Sequence, residues 1–139
     1  MDLGKRLLKI DPTVRARLIE AIELHGHLGP FLVLGMRMGL LAERLLGERA
    51  KACEVELPDN KPHLCALDGI RAVIDEDRVV LRDGDGIAAT FHGENGKKIT
   101  LAVKNNVIGR YVNEPFERCE ENAFKILSRD DAEILDQVV

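Results

Sequence analysis

The chain has 139 residues, 45% of them hydrophobic, which is enough for one compact core and short for two. Its formal net charge of −4 and its scattered basic residues provide no cationic stripe for a phosphate backbone, so nucleic acid is not an expected partner. The N-terminal segment interrupts its apolar residues with Lys, Arg and Pro, which excludes a signal-peptide core or membrane span there. These features predict a single cytoplasmic domain over residues 1–139.

The first half of the chain carries three predicted helices. Residues 13–24 place apolar side chains at helical spacing, with Thr13 as a candidate cap. A second helix is predicted over Pro30–Leu46, because proline suits the first helical position and Gly47 a helix end. Pro62 can open a third helix in the same way, and the periodicity carries that helix to residue 74.

Strand patterns begin between the second and third predicted helices and dominate the chain after the third. Residues 53–57 alternate apolar side chains with glutamates, which is the period of a half-buried strand. Further strands are predicted at 79–82, 87–92 and 99–104; Asp-Gly and Asn-Gly sequences between them favour hairpin turns and therefore an antiparallel meander. Residues 113–128 indicate a helix, and a short last helix should begin just after it.

The order of these elements predicts the fold class. Helices come first and strands follow, and the pattern shows no alternating βαβ units. We therefore predict an α+β domain of two layers, in which N-terminal helices pack on a mostly antiparallel β-sheet.

Two histidines in the turn before the second helix are the first candidates for a binding site. His25 and His27 lie two apart in the segment HGHLGP, which is extended or turning, so their imidazoles can converge. The N-terminal end of the next helix favours neutral imidazole, the form that binds a metal or acts as a base. Residue types alone leave open the alternative that both rings only cap and pack a helix corner.

Other polar side chains have both a functional and a structural interpretation. Cys65 and Asp68 are three apart on one face of the third helix, where they are either ligands and a base or a buried thiol and a solvated acid. Arg37 is the first charged residue of its helix; it needs a carboxylate or ligand if buried, and snorkels to solvent if not. Cys53 and Cys119 fall on apolar sides and are predicted to be core thiols.

The second helix also carries two glycines on one face. Gly35 and Gly39 lie about one turn apart, and neither has a side chain to hold a neighbour away. This spacing predicts the close approach of another backbone, belonging to a sheet, a helix or a second copy of the chain.

The segment HGHLGPFLVLGMRMG, followed further along by CALDGI, resembles the FmdE-like family, which is named for a component of formylmethanofuran dehydrogenase. The resemblance covers most of the chain, from the first helix through the predicted meander. In the family the first block reads His-Gly-His-x-Cys-Pro-Gly, and a Thr-Gly-Cys-Thr loop follows a Cys-Ala-x-Asp helix. The resemblance implies an α+β domain, commonly dimeric, with a pocket lined by cysteine and histidine that can hold zinc.

Carried over to this chain, the resemblance implies that His25, His27 and Cys65 are the metal ligands. It places Asp68 and Arg37 beside them in the ligand pocket. It also implies an accessory role as a homodimer, with zinc as cofactor and the subunits of a formylmethanofuran dehydrogenase-type complex as partners.

Departures from the family pattern leave three functions open. Gly29 stands where the family has its first Cys, and no Thr-Gly-Cys-Thr loop follows residue 74, so a metal should bind more weakly. The chain is then an accessory protein that binds a metal or small ligand, a zinc-dependent enzyme using His27, Cys65 and Asp68, or a structural domain that has lost the site. A corner filled with side chains favours the last.

Overall fold

The computed structural model of the chain describes residues 3–59 and 63–138. The helices are α1 (Leu3–Leu7), α2 (Pro12–His25), α3 (Pro30–Leu46), α4 (Cys65–Arg71), α5 (Asn105–Tyr111), α6 (Cys119–Leu127) and α7 (Asp131–Ile134). The strands are β1 (Ala52–Glu56), β2 (Val79–Arg82), β3 (Ala88–His92), β4 (Lys98–Val103) and β5 (Leu135–Val138). Pro62, the predicted start of the third helix, lies outside the described residues.

Helix α2 confirms the predicted first helix and brings His25 to the corner before α3. The side chain of Asp11 accepts hydrogen bonds from the backbone N–H groups of Thr13 at 3.1 Å and Val14 at 3.3 Å. The prediction that Thr13 is the cap is therefore wrong, because Thr13 already lies in the first turn. Gly26 has a φ of 104° and ends the helix, so His25 is its last residue.

Helix α3 is the centre of the core. It spans the predicted residues, with Pro30 in its first turn and Gly47 at its end in the left-handed conformation. Every residue in 30–36 is buried, so the first two turns are packed on all sides. Helices α4 and α6 and strands β3 and β4 all contact α3, so α3 connects the helices to the sheet.

The five strands form one sheet in the order β2-β1-β3-β4-β5. The pairs β1–β3, β3–β4 and β4–β5 are antiparallel, and only β1–β2 is parallel. This arrangement confirms the predicted α+β class with a mostly antiparallel sheet.

The predicted meander is wrong at its first turn. Strand β2 pairs with β1 rather than with β3, so β1, α4 and β2 form a βαβ unit that the sequence pattern did not indicate. The segment after β2 crosses the end of β1, where Gly84 packs against Glu56. The local Asp-Gly signal identifies a turn, but it does not determine which strand follows in the sheet.

The C-terminal part of the chain contains more elements than the sequence predicts. The predicted helix over 113–128 begins only at Cys119, and α5 lies before it without a prediction. The short last helix is confirmed: Asp130 and Glu133 form a capping box at the start of α7. Strand β5 then continues to Val138 and extends the sheet beyond β4.

A helix that crosses a bilayer must be both long and continuously apolar. Within residues 3–59 and 63–138, no helix combines the length and the apolar character that a membrane span requires.

Candidate functional site

A cavity of about 400 Å³ opens where the turn before α3 meets α4 and α6. We call it the histidine cavity. Its polar wall includes His25, His27, Cys65, Glu114, Cys119 and Asn122. Its apolar wall includes Phe31, Leu32, Tyr111, Val112 and Phe116. The sequence-predicted metal ligands therefore face one shared space, although they come from different elements of the fold.

His25 is held in a defined orientation by Asp68. The Nδ1 atom of His25 lies 2.7 Å from a carboxylate oxygen of Asp68, and the two side chains are only 10% and 25% exposed. An ionised carboxylate accepts hydrogen bonds, so Nδ1 carries the proton and a neutral ring has its lone pair on Nε2. That Nε2 atom is buried, with no hydrogen-bond partner among the described residues.

The imidazoles of His25 and His27 lie close together just before the N-terminal end of α3. The ring centroids of His25 and His27 are 4.6 Å apart, which agrees with the predicted convergence across the turn. The ring of Phe116 lies 5.4 Å from that of His27 on the other side. Cys65, at the first position of α4, faces the same cavity. Asp68 supports His25 from α4 and is not itself part of the cavity wall.

Arg37 lies away from the histidine cavity. Its guanidinium donates to the carboxylate of Asp131 at 2.8 Å and to the backbone oxygens of Arg129 at 2.7 Å and Ile126 at 3.0 Å. These bonds join α3 to the end of α6, to the start of α7 and to the residues between them, along a second cavity of about 740 Å³. Asp131 supplies the carboxylate that a buried Arg37 is predicted to need, so Arg37 stabilises the packing of α3 against α6 and α7.

Helix α6 contributes two residues that the sequence patterns did not assign to the site. Cys119 was predicted to be a core thiol; this is wrong, because it is partly exposed and lines the histidine cavity. Desolvation, with a further contribution from Glu117, raises the pKa of the Cys119 thiol. Asn122 is completely buried in the same wall. By contrast, Cys53 is confirmed as a core thiol, and burial raises its pKa to about 12.

The histidine cavity offers metal donors without a complete coordination shell. Imidazole and thiolate are the ligands that zinc prefers, and the free Nε2 of His25 has the carboxylate support typical of metal-bound histidines. Yet no three His, Cys, Asp or Glu side chains within residues 3–59 and 63–138 are grouped as a metal-binding cluster. The donor types fit zinc, whereas their described positions do not form a preassembled site.

We predict that His25 is the Nδ1–H tautomer, which ¹⁵N-resolved NMR of the imidazole can measure directly. Replacing Asp68 by alanine should remove the acceptor and shift the ring toward the Nε2–H tautomer. Asp59→Ala, a change at an exposed carboxylate, should leave the tautomer unchanged. An Nε2–H ring in the unmodified chain would contradict the described His25–Asp68 bond.

One family of known proteins matches the chain over most of its length. The sequence model of the FmdE family, described as "Molybdenum formylmethanofuran dehydrogenase operon", matches residues 24–138. A comparison with curated proteins gives no match. The family match begins just before the two histidines and extends through α4, α6 and the whole sheet. The match covers well over half of the chain, and the chain therefore belongs to the FmdE family.

Proposed function

We propose that the chain is an accessory protein that binds a metal ion or small ligand in the histidine cavity, beside the subunits of a formylmethanofuran dehydrogenase-type complex. The observation that carries this proposal is the buried Nε2 atom of His25, which Asp68 orients and which has no partner among the described residues. An imidazole lone pair held in this way is prepared for a metal or a hydrogen-bond donor.

The open volume at this corner supports binding over a purely structural role. About 400 Å³ remains between the two histidines, Cys65 and α6, whereas a structural corner would be filled by side chains. Asp68 has one oxygen against His25 and the other 3.6 Å from the guanidinium of Arg71. In this proposal Asp68 is a positioning residue, since both of its oxygens already face partners in the chain.

Zinc is the metal that this donor set favours. We propose His25, His27 and Cys65 as its ligands, with weaker binding than in family members that carry cysteine at the position of Gly29. This order of affinities follows from the ligand types, because each missing thiolate removes a strong zinc ligand.

A homodimer is part of the same proposal. Strand β2 is an edge of the sheet, and its Val80 and Leu81 side chains are 50% and 42% exposed. An exposed apolar edge strand favours pairing with another chain, and a second copy would cover it.

The metal prediction is tested by equilibrium dialysis of the untagged chain against Zn²⁺, followed by elemental analysis. We expect one zinc per chain at saturation. Cys65→Ala and His25→Ala should each weaken the affinity at least tenfold, or about 1.4 kcal/mol, because each removes one of three donors. His92→Ala removes a histidine at the end of β3, outside the cavity, and should bind zinc like the unmodified chain.

Two results would defeat the ligand assignment. One is a chain that retains no stoichiometric zinc. The other is a Cys65→Ala variant with unchanged affinity, which would place any bound zinc at another site.

A further inference from the structure

Asn122 is a buried polar residue that has no hydrogen-bond partner in the part of the chain that the structure describes. Its side chain is 0% exposed, in a part of α6 where Ala123 and Ile126 are also completely buried. Neither its Oδ1 nor its Nδ2 atom has a hydrogen-bond partner in residues 3–59 or 63–138. Buried amides are normally paired, because burial without hydrogen bonds costs free energy that a leucine of similar size would not. Asn122 therefore calls for a partner from outside the chain.

The histidine cavity is where such a partner would bind. Asn122 lines it together with His25, whose Nε2 atom is likewise buried and unpaired. The carboxamide offers a donor and an acceptor side by side. Asn122 belongs to α6 and His25 to α2, two elements distant in sequence, so their place in one cavity wall is a property of the fold.

The rest of the lining restricts the chemistry of the ligand. No Lys or Arg of the described residues lines this cavity, and its one acidic side chain is Glu114, so in the metal-free chain an anion would find no fixed cation there. Phe31, Leu32 and Tyr111 contribute apolar surface to the same cavity. The cavity thus suits an uncharged molecule with an apolar body and one polar edge.

We propose that Asn122 is the ligand-recognition residue of the histidine cavity, where its carboxamide pairs with the amide edge of an uncharged, planar molecule. An amide edge presents an acceptor beside a donor and so complements both atoms of Asn122. This inference rests on the proposed function, since it requires the cavity to be a binding site.

The test uses NMR titration of the full chain, freed of metal with a chelator, with three probes of similar size: benzamide, benzoate and toluene. Benzamide should bind at least tenfold more tightly than the other two and shift the side-chain NH₂ signals of Asn122. In Asn122→Leu, benzamide should lose this advantage and bind no better than toluene. The same variant should have a higher melting temperature, because it removes an unpaired buried amide.

Asn113→Leu is the control, since Asn113 is exposed and does not line the cavity; it should keep the preference for benzamide. The inference is overturned if the unmodified chain binds benzamide no better than toluene. It is also overturned if Asn122→Leu lowers the melting temperature, which would identify Asn122 as a structural residue. Either result leaves zinc binding intact, whereas failure of the proposed function would remove zinc binding and binding of all three probes together.

Discussion

Gly35→Ala is expected to destabilise the fold by about 3 kcal/mol or more, because the added methyl group would overlap the backbone of another helix. A Cβ atom at Gly35 would collide with the carbonyl oxygen of Ala66 in α4. The relation is reciprocal, since a Cβ atom at Gly69 would collide with the carbonyl oxygen of Leu32 in α3. Backbone atoms cannot move aside as a flexible side chain does, so the two helices would have to separate.

Urea denaturation measures this loss, and Gly109→Ala is the matched control. Gly109 lies in α5 and is exposed, and a Cβ atom added there would have no described heavy atom of another element within 4 Å. Alanine there should stabilise the chain by up to about 1 kcal/mol through its higher helix propensity. If Gly35→Ala unfolds at the same urea concentration as the unmodified chain, α3 and α4 are farther apart in solution than described.

The same contact holds the site together. Gly69 follows Asp68 directly in α4, so the close approach of α4 to α3 also fixes Asp68 against His25. A variant that separates the helices should therefore lose the Nδ1–H tautomer of His25 as well as stability. Gly35 and Gly69 thus allow α3 and α4 to pack closely, and this packing also orients the imidazole of His25.

Local signals in the sequence were sufficient for several elements. Pro30 and Gly47 identify the two ends of α3. The first helical position needs no backbone N–H, which proline lacks, and the residue that ends the helix has a positive φ, which glycine readily adopts. The Asn95-Gly96 pair likewise indicates the turn between β3 and β4. The place of β2 beside β1 could not be predicted in this way, because it depends on the path of the chain through α4 between the two strands. Strand β2 is largely exposed and has no strong pattern of its own.

The candidate site was also predictable only where short local motifs identify its residues. His25, His27 and Cys65 were identified by short motifs that the family resemblance connects, and the structure brings them to one cavity. Cys119 and Asn122 belong to α6, far along the chain. Nothing in the sequence pattern of α6 indicates that its apolar face borders a cavity. The available signal was Asn122 itself, a polar residue on the buried face of an amphipathic helix.

Gly29→Cys is expected to raise the affinity for zinc about a hundredfold, or about 2.8 kcal/mol, by restoring a thiolate that the family pattern places here. Gly29 has a φ of −147°, an extended conformation that any residue adopts. A Cβ atom there would lie 3.7 Å from Nε2 of His27 and 3.8 Å from Cβ of Cys119, which is ordinary van der Waals contact. The new thiol therefore fits beside the proposed ligands, and the N-terminus of α3 favours its ionised form.

Gly29→Ser is the control for the effect of adding a side chain at position 29. Serine has nearly the same size as cysteine and is a poor zinc ligand. Competition with a chromophoric chelator should show no gain for Gly29→Ser. It should also show the gain of Gly29→Cys largely lost when His27→Ala is added, because the two donors would share one ion. Equal affinities for the cysteine and serine variants would mean that position 29 does not face a zinc site. The zinc donors of the histidine cavity would then be His25, His27 and Cys65 without a further protein ligand from position 29, and the elemental analysis of the unmodified chain would alone decide whether the cavity holds the metal.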